Sequence, residues 1–504
     1  MAAELEAIGI VKRYGGLLAN DHIDLAVERG EVHAVMGENG AGKSTLMSIL
    51  YGMQAPDEGS ILLRGRQVRY RSALDAIAEG MGMVHQAFKL FNSLTVWENV
   101  VYGLEPQRGG FIDRAAAIAK VGALAERYHL QVDPAETVGR LSVGVRQRVE
   151  ILKALYRDAN ILILDEPTAV LTPQERDGLF TVIRNLTADG RTVIFVTHKL
   201  HEVMAITDRV TVLRDGKVVA QMITGETSAR EIIRAMTGRA VNLTVEKGEA
   251  KPGAPVLKVE RLTVEGAGKA LVDNASFVVR AGEIVGIAGV AGNGQTELIE
   301  ALTGMRSPDE GHVEIGGHDV AGLDVEHHRA AGLAYIPEDR AATGTARQAS
   351  AADNLAMGFQ HTPAFARIGL LDYKAVAARA RELIARFGIR VASEAAPVVS
   401  LSGGNLQKLV VARELAHQAP LLIAEQPTRG VDVGAIEFIH GLLIAERDKG
   451  RATLLVSAEL SEIMALSDRI LVMFEGRILA EIPGERADEE TLGLIMAGRA
   501  KQAA

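Results

Sequence analysis

Cysteine is absent from all 504 residues. Disulfides, thiolate zinc sites and cysteine nucleophiles are therefore excluded, which fits a reducing compartment. No segment approaches the ~18 uninterrupted apolar residues of a membrane-spanning helix. The first residues, Met1-Ala2-Ala3-Glu4-Leu5-Glu6, lack a basic stretch followed by an apolar run, so no secretory signal is expected. Basic excess is missing too: the formal net charge is -9, which argues against a surface built mainly for nucleic acid. Low-complexity tracts and sustained heptads are lacking. What remains, 48% hydrophobic and 24% charged residues, is the composition of a globular protein long enough for two cores.

Against these absences stands a repeated landmark. Gly37-Glu38-Asn39-Gly40-Ala41-Gly42-Lys43-Ser44 matches the phosphate-binding pattern G-x-x-x-x-G-K-[ST]. It returns in altered form as Gly289-Val290-Ala291-Gly292-Asn293-Gly294-Gln295-Thr296, which keeps the glycines and the hydroxyl and loses the lysine. Leu141-Ser142 returns at Leu401-Ser402, and Asp165-Glu166-Pro167-Thr168 at Glu425-Gln426-Pro427-Thr428, in the same order and at nearly the same separation. A repeat of that length is a tandem pair of domains. The expected division is residues 1–240, a linker at 241–255 where Gly, Pro and charge replace apolar periodicity, and residues 256–504.

Each half alternates strand and helix patterns, which predicts an α/β fold with a mainly parallel sheet. Val32 to Met36 reads as a buried strand leading into the loop, and Leu46, Ile49, Leu50 and Met53 as the helix after it. Ile161-Leu162-Ile163-Leu164 and Val193-Ile194-Phe195-Val196 are continuous apolar runs, as in strands buried on both faces. They lead into Asp165-Glu166 and His198, and the carboxyl ends of such strands are where these sheets bind ligands. Between Phe88 and Ala159 the pattern is mostly helical, which predicts an inserted helical subdomain.

The chemistry of the first half is that of a nucleotide. Gly37, Gly40 and Gly42, with Asn39, let backbone N–H groups turn toward phosphate oxygens. Lys43 supplies a point charge to the β- and γ-phosphates, and the helix beginning with Ser44 and Thr45 adds its dipole. The Ser44 hydroxyl, Asp165 and Gln86 are candidate Mg²⁺ ligands, directly or through water. Glu166 is the candidate base that polarises the attacking water, and His198 the candidate γ-phosphate contact. Tyr14 is a candidate platform for the adenine ring. His327-His328 reads as a solvated loop pair, and Trp97 as packing.

Leu141-Ser142-Val143-Gly144-Val145-Arg146-Gln147 and Leu401-Ser402-Gly403-Gly404-Asn405-Leu406-Gln407 resemble the signature loop of the ATP-binding cassette (ABC) family. With the P-loops and strand-end acids, the resemblance covers the chain twice. It implies two P-loop NTPase cassettes in an intramolecular head-to-tail pseudo-dimer, using ATP and Mg²⁺. One site would combine the first-half residues above with Ser402, Gly403, Gly404, Gln407 and the D-loop acid Asp432. The other would combine Gly289, Gly292, Gly294, Gln295, Thr296, Glu338, Glu425, Gln426 and Ala458 with Ser142, Val143 and Gly144. There Gln295 replaces the lysine, Gln426 the base and Ala458 the histidine, while Thr172 stands where an Asp is expected. The resemblance thus implies one hydrolytic site and one degenerate site.

Twin cassettes without a membrane span resemble the ATPase subunit of bacterial importers for small sugars and nucleosides. Ile336-Pro337-Glu338-Asp339-Arg340 is similar to a segment of that group's second cassette. The segments at 141–144, 150–157, 164–172 and 426–435 look like its nucleoside branch, with ribose, galactose or xylose import as the alternative. A ribosome-associated twin-cassette protein is a remote alternative, since the linker is short and the chain acidic. The resemblance implies two integral-membrane permease subunits, a substrate-binding lipoprotein outside the membrane, no nucleic-acid partner, and a peripheral position on the cytoplasmic face of the inner membrane.

Overall fold

The computed structural model describes residues 3–38, 40–85, 88–168, 171, 173–239, 245 and 247–498, apart from 198, 291, 361, 364, 368 and 369. The chain divides into two units, Met1–Val241 and Asn242–Ala504. The same sheet orders recur in each.

In the first unit a six-stranded sheet runs in the order Lys217–Ile223, Arg209–Arg214, Val32–Gly37, Thr192–Val196, Ile161–Asp165, Met81–Val84. All neighbours pair in parallel except the first two. Thr192–Val196 and the first five residues of Val32–Gly37 are buried apolar or polar side chains flanked on both faces, the pattern of a parallel strand covered by helices. The antiparallel edge strand Lys217–Ile223 buries no residue completely and opens on a lysine, as exposed edges do. A second sheet is antiparallel, in the order Leu17–Val27, Leu5–Tyr14, Glu58–Leu63, Arg66–Val68.

The second unit repeats this plan. Its six-stranded sheet runs Leu333–Ile336, Leu421–Glu425, Ala452–Val456, Ile284–Ala288, Arg469–Phe474, Arg477–Pro483. In both units an aspartate pins the start of the P-loop strand: Val32 N donates to Asp208 Oδ2 at 2.8 Å, and Ile284 N to Asp468 Oδ2 at 2.9 Å.

The helical insert of the first unit holds Val96–Val101, Arg114–Arg127 and Val143–Tyr156. It also contains a short hairpin, Gln107–Arg108 with Phe111–Ile112, which the helical pattern did not announce. Trp97 is buried in the insert's core, as packing predicts. Two expectations fail. The P-loop helix ends at Leu50, and Met53 lies beyond it and is exposed, because backbone groups of the 49–54 turn already bond back to Met47, Ser48 and Ile49. His327 and His328 are not a loop pair: both lie in the helix Val325–Ala330. Asp324 caps it, His327 faces solvent beside that carboxylate, and His328 is fully buried with Nδ1 2.9 Å from Asp324 O.

The described part of the expected linker is held on the second unit. Gly248 O accepts from the buried Arg447 at 3.0 Å, Lys247 Nζ donates to Ser467 O at 2.6 Å, and Pro255 already opens the strand Pro255–Glu265.

Candidate functional site

The first P-loop is shaped by left-handed glycines. Gly40 has φ 85° and Gly42 φ 96°. A Cβ on Gly42 would lie 2.3 Å from Ala19 O, so no larger residue fits without moving backbone. The loop turns directly into the helix Lys43–Leu50, whose first-turn Ser44 is exposed and whose Thr45 is half-buried.

Lys43 is 7% exposed and its Nζ donates to Gly37 O at 2.7 Å and Glu38 O at 3.0 Å. Without a phosphate partner the ammonium is thus satisfied by its own loop. Burial pushes its pKa down, while the nearby carboxylates of Glu166, Asp165 and Glu38 hold it up. That coupling puts the strand-end acids beside the phosphate loop. Burial and the Glu166 charge raise the Asp165 pKa, and Lys43 opposes them. Glu166 sits in the left-handed region, φ 47°, with its N–H donating to Val196 O at 2.9 Å. The sharp bend turns its side chain away from the strand line, at a stored cost of about 1–3 kcal/mol.

Tyr14 ends the strand Leu5–Tyr14 with its ring 44% exposed, its hydroxyl on Gln54 and the Lys12 ammonium 5.9 Å from the ring centre. Asn39, Gln86, Thr172 and His198 lie outside the described residues.

Around these groups is a connection the sequence reading missed. Glu202 is 1% exposed and accepts from the hydroxyls of Thr168, in the turn after Glu166, and Thr197, at 3.0 Å. Thr197 Oγ1 in turn accepts from Lys199 N at 3.0 Å. One buried carboxylate therefore ties the acid-bearing turn to the residues flanking position 198.

The two signature loops differ in detail. Ser142 caps the helix Val143–Tyr156 by accepting from Val145 N at 3.4 Å, and Glu175 crowds it: a Cβ on Gly144 would lie 2.4 Å from Glu175 Oε1. Glu175 puts negative charge where the resemblance expects a phosphate. In the second unit Ser402 stands exposed before the helix Gly403–Ala416, its Oγ accepting from Asn405 Nδ2 at 2.9 Å. Gly403 abuts the Arg340 guanidinium and Gly404 the Asp432 carboxylate, and Asp432 caps the helix Val433–Asp448 by accepting from Ala435 N at 2.7 Å. Gln407 is 1% exposed and donates to Pro427 O at 2.8 Å, so its amide braces a loop instead of facing an open site.

The second P-loop repeats the two left-handed glycines, Gly292 at φ 87° and Gly294 at φ 99°, and Thr296 is exposed as Ser44 is. Gln295 is buried against Gly289: a Cβ there would be 2.1 Å from its Nε2. Gln426 repeats the bend of Glu166 at φ 48°, but its Oε1 accepts from Ala458 N at 3.0 Å, and an amide offers no useful base. Glu338 pairs with Arg429.

Among the described residues no group of three or more His, Asp or Glu side chains converges as a protein-only metal centre. Mg²⁺ takes one or two protein oxygens and completes its shell with phosphate and water. Exposed Ser44 and the half-buried, charge-crowded Asp165 have oxygens that fit such a role.

The ABC transporter family model matches residues 20–169 and again 272–429. A nucleoside import ATP-binding protein of Lactococcus lactis is 43% identical over 495 residues, 98% of either chain. A guanosine import ATP-binding protein of Bacillus subtilis is 46% identical over 501 residues, 99% of this chain and 98% of that one. A glucose import ATP-binding protein of Haloferax volcanii is 45% identical over 520 aligned positions, 97% of this chain and 94% of that one. An archaeal ribosome recycling factor, solved with a ribosomal stalk protein, shares the fold with a TM-score of 0.65 at 21% identity, over 97% of this chain and 92% of its own. The chain belongs to the ABC transporter family, as an ATPase with two cassettes.

Proposed function

We propose that the chain is the ATP-hydrolysing subunit of an importer for nucleosides. It would work from the cytoplasmic face of the membrane with two permease subunits and an external substrate-binding lipoprotein. Residues 1–240 and 256–504 are its cassettes and 241–255 its linker. The observation that carries the hydrolytic assignment is that the phosphate loop and the Asp165-Glu166 turn leave the same carboxyl edge of one parallel sheet, with Lys43 at the start of the loop's helix. The guanosine and nucleoside import relatives favour the substrate class.

The chemistry follows from the groups present. The P-loop N–H groups and Lys43 bind the β- and γ-phosphates, Lys43 exchanging two carbonyl partners for phosphate oxygens. Mg²⁺, held by Ser44 and Asp165 with Gln86, supplies further neutralisation of phosphate charge. Glu166 takes a proton from water as that water attacks the γ-phosphorus, and ADP leaves. His198 adds a contact to the γ-phosphate, and Tyr14 lies under the adenine. The site built on Gln295, Thr296, Gln426 and Ala458 is non-hydrolytic.

Glu166→Gln is expected to lower phosphate release from ATP by about 10²–10⁴-fold, the worth of a positioned base. Gln426→Glu leaves it nearly unchanged. Full activity in the Glu166 variant would overturn the assignment. Monosaccharide import is the second reading, favoured by the glucose import relative. Uptake of labelled nucleoside against labelled sugar by vesicles carrying the chain and its permeases separates the two.

A further inference from the structure

The second unit closes its own acidic strand end. Tyr335, on the strand Leu333–Ile336, donates its hydroxyl to Glu425 Oε2 at 2.6 Å, and Glu338 N donates to the same oxygen at 3.4 Å. Glu425 is 5% exposed. Glu300, the nearest further carboxylate, is held by Arg306 at 2.7 Å. In the first unit the arrangement is different. Strand register equates Tyr335, opposite Ile423, with Met83, opposite Ile163. Met83 has no hydrogen to donate, and the carboxylate at that strand end is the shorter Asp165. Among the described residues no donor lies on Asp165; burial and the charges of Glu166 and Lys43 act on it.

A divalent cation needs carboxylate lone pairs, directly or through its water. At Glu425 one oxygen already accepts twice inside the protein. A metal drawing on that oxygen would break the tyrosine bond and leave a half-buried hydroxyl unpaired, a loss no phosphate group repairs. The residues that fit Mg²⁺ in the first unit therefore do not fit it in the second. Lysine and metal are the two cationic groups of a P-loop site, and here neither has a place. What is left for phosphate is the ring of backbone N–H groups and the start of the helix Gln295–Leu302.

We propose that the second P-loop takes a nucleoside di- or triphosphate without a divalent cation, the Tyr335 hydroxyl occupying the carboxylate oxygen that a metal would draw on. This rests on the reading of the first site as the metal-dependent one. Its consequence is a nucleotide that stays when metal is withdrawn and that gains little from a third phosphate.

The test counts Mn²⁺ by its spin-resonance signal and labelled ADP by equilibrium dialysis, on the full chain. Two ADP and one Mn²⁺ per chain are expected, with EDTA releasing one ADP and leaving the other. Lys43→Ala is expected to keep one ADP, equally in Mn²⁺ and in EDTA, and Tyr335→Phe to admit a second Mn²⁺. Two Mn²⁺ in the unaltered chain, loss of all ADP in EDTA, or no second Mn²⁺ in Tyr335→Phe would each overturn the proposal. These counts do not depend on turnover, so a failure of the Glu166 assignment would show separately, in phosphate release.

Discussion

Lys43 and Glu202 show how much of this site works through groups that hold each other before any nucleotide arrives. Lys43 is visible from its motif alone, because the P-loop is a contiguous stretch in which spacing dictates geometry. Glu202 is not, because its partners Thr168 and Thr197 are brought to it by two different strand ends. Glu202→Gln keeps the shape but replaces a buried charged acceptor with an amide that can satisfy one hydroxyl. The expected result is a loss of about 1–3 kcal/mol in urea unfolding and a lower kcat with KM for ATP nearly unchanged, since the P-loop is untouched. Glu202→Asp should recover part of kcat. Equal damage to KM would show that the carboxylate merely supports the fold. The same logic explains Tyr335, Glu175 and Gln407: each acts on a partner distant in sequence, and nothing in its own neighbourhood reports that partner.

Among the elements, the strands and P-loop helices were legible because buried parallel strands are continuous apolar runs and glycines mark the turns. The helical insert was legible as helix, but its two-residue strands were too short to leave a periodic trace. The signature helices carry a further asymmetry. Glu414, in Gly403–Ala416, is fully buried, accepting from Arg413 Nε at 2.7 Å, Arg329 Nη2 at 3.3 Å and Tyr335 N at 3.1 Å. Burial alone would raise its pKa, but the two guanidiniums and their hydrogen bonds win and lower it. A carboxylate whose folded pKa is depressed adds stability above its unfolded pKa, and loses it as pH falls through the folded value. Glu414→Gln should therefore cost about 3–5 kcal/mol near neutral pH by leaving Arg413 buried without its anion. It should also flatten the acid limb of the second unit's stability. Denaturant melts from neutral to acid pH check both.

At the scale of the whole chain, two units share one topology but not the same side chains at their strand ends. Saturating ATP with Mg²⁺ at 100 times Kd is expected to raise the stability of the first unit by about 2.7 kcal/mol. EDTA should abolish that gain there. Calorimetry, with limited proteolysis to identify which unit melts, checks the outcome, and equal metal-dependent shifts in both units would contradict it. The duplication itself was plain from three repeated landmarks. Which half keeps its chemistry was half-plain: Gln295, Gln426 and Ala458 gave the lost groups, but only packing reveals Tyr335 on Glu425.

The matching left-handed bends at Glu166 and Gln426, φ 47° and 48°, carry one more consequence. A non-glycine residue held there is strained, yet the second unit keeps the bend although an amide replaces the acid. The turn is enforced by the N–H bonds to Val196 and Val456 on the neighbouring strands, whichever side chain sits on it. A carboxylate placed at position 426 would therefore enter a turn whose backbone already matches that of Glu166.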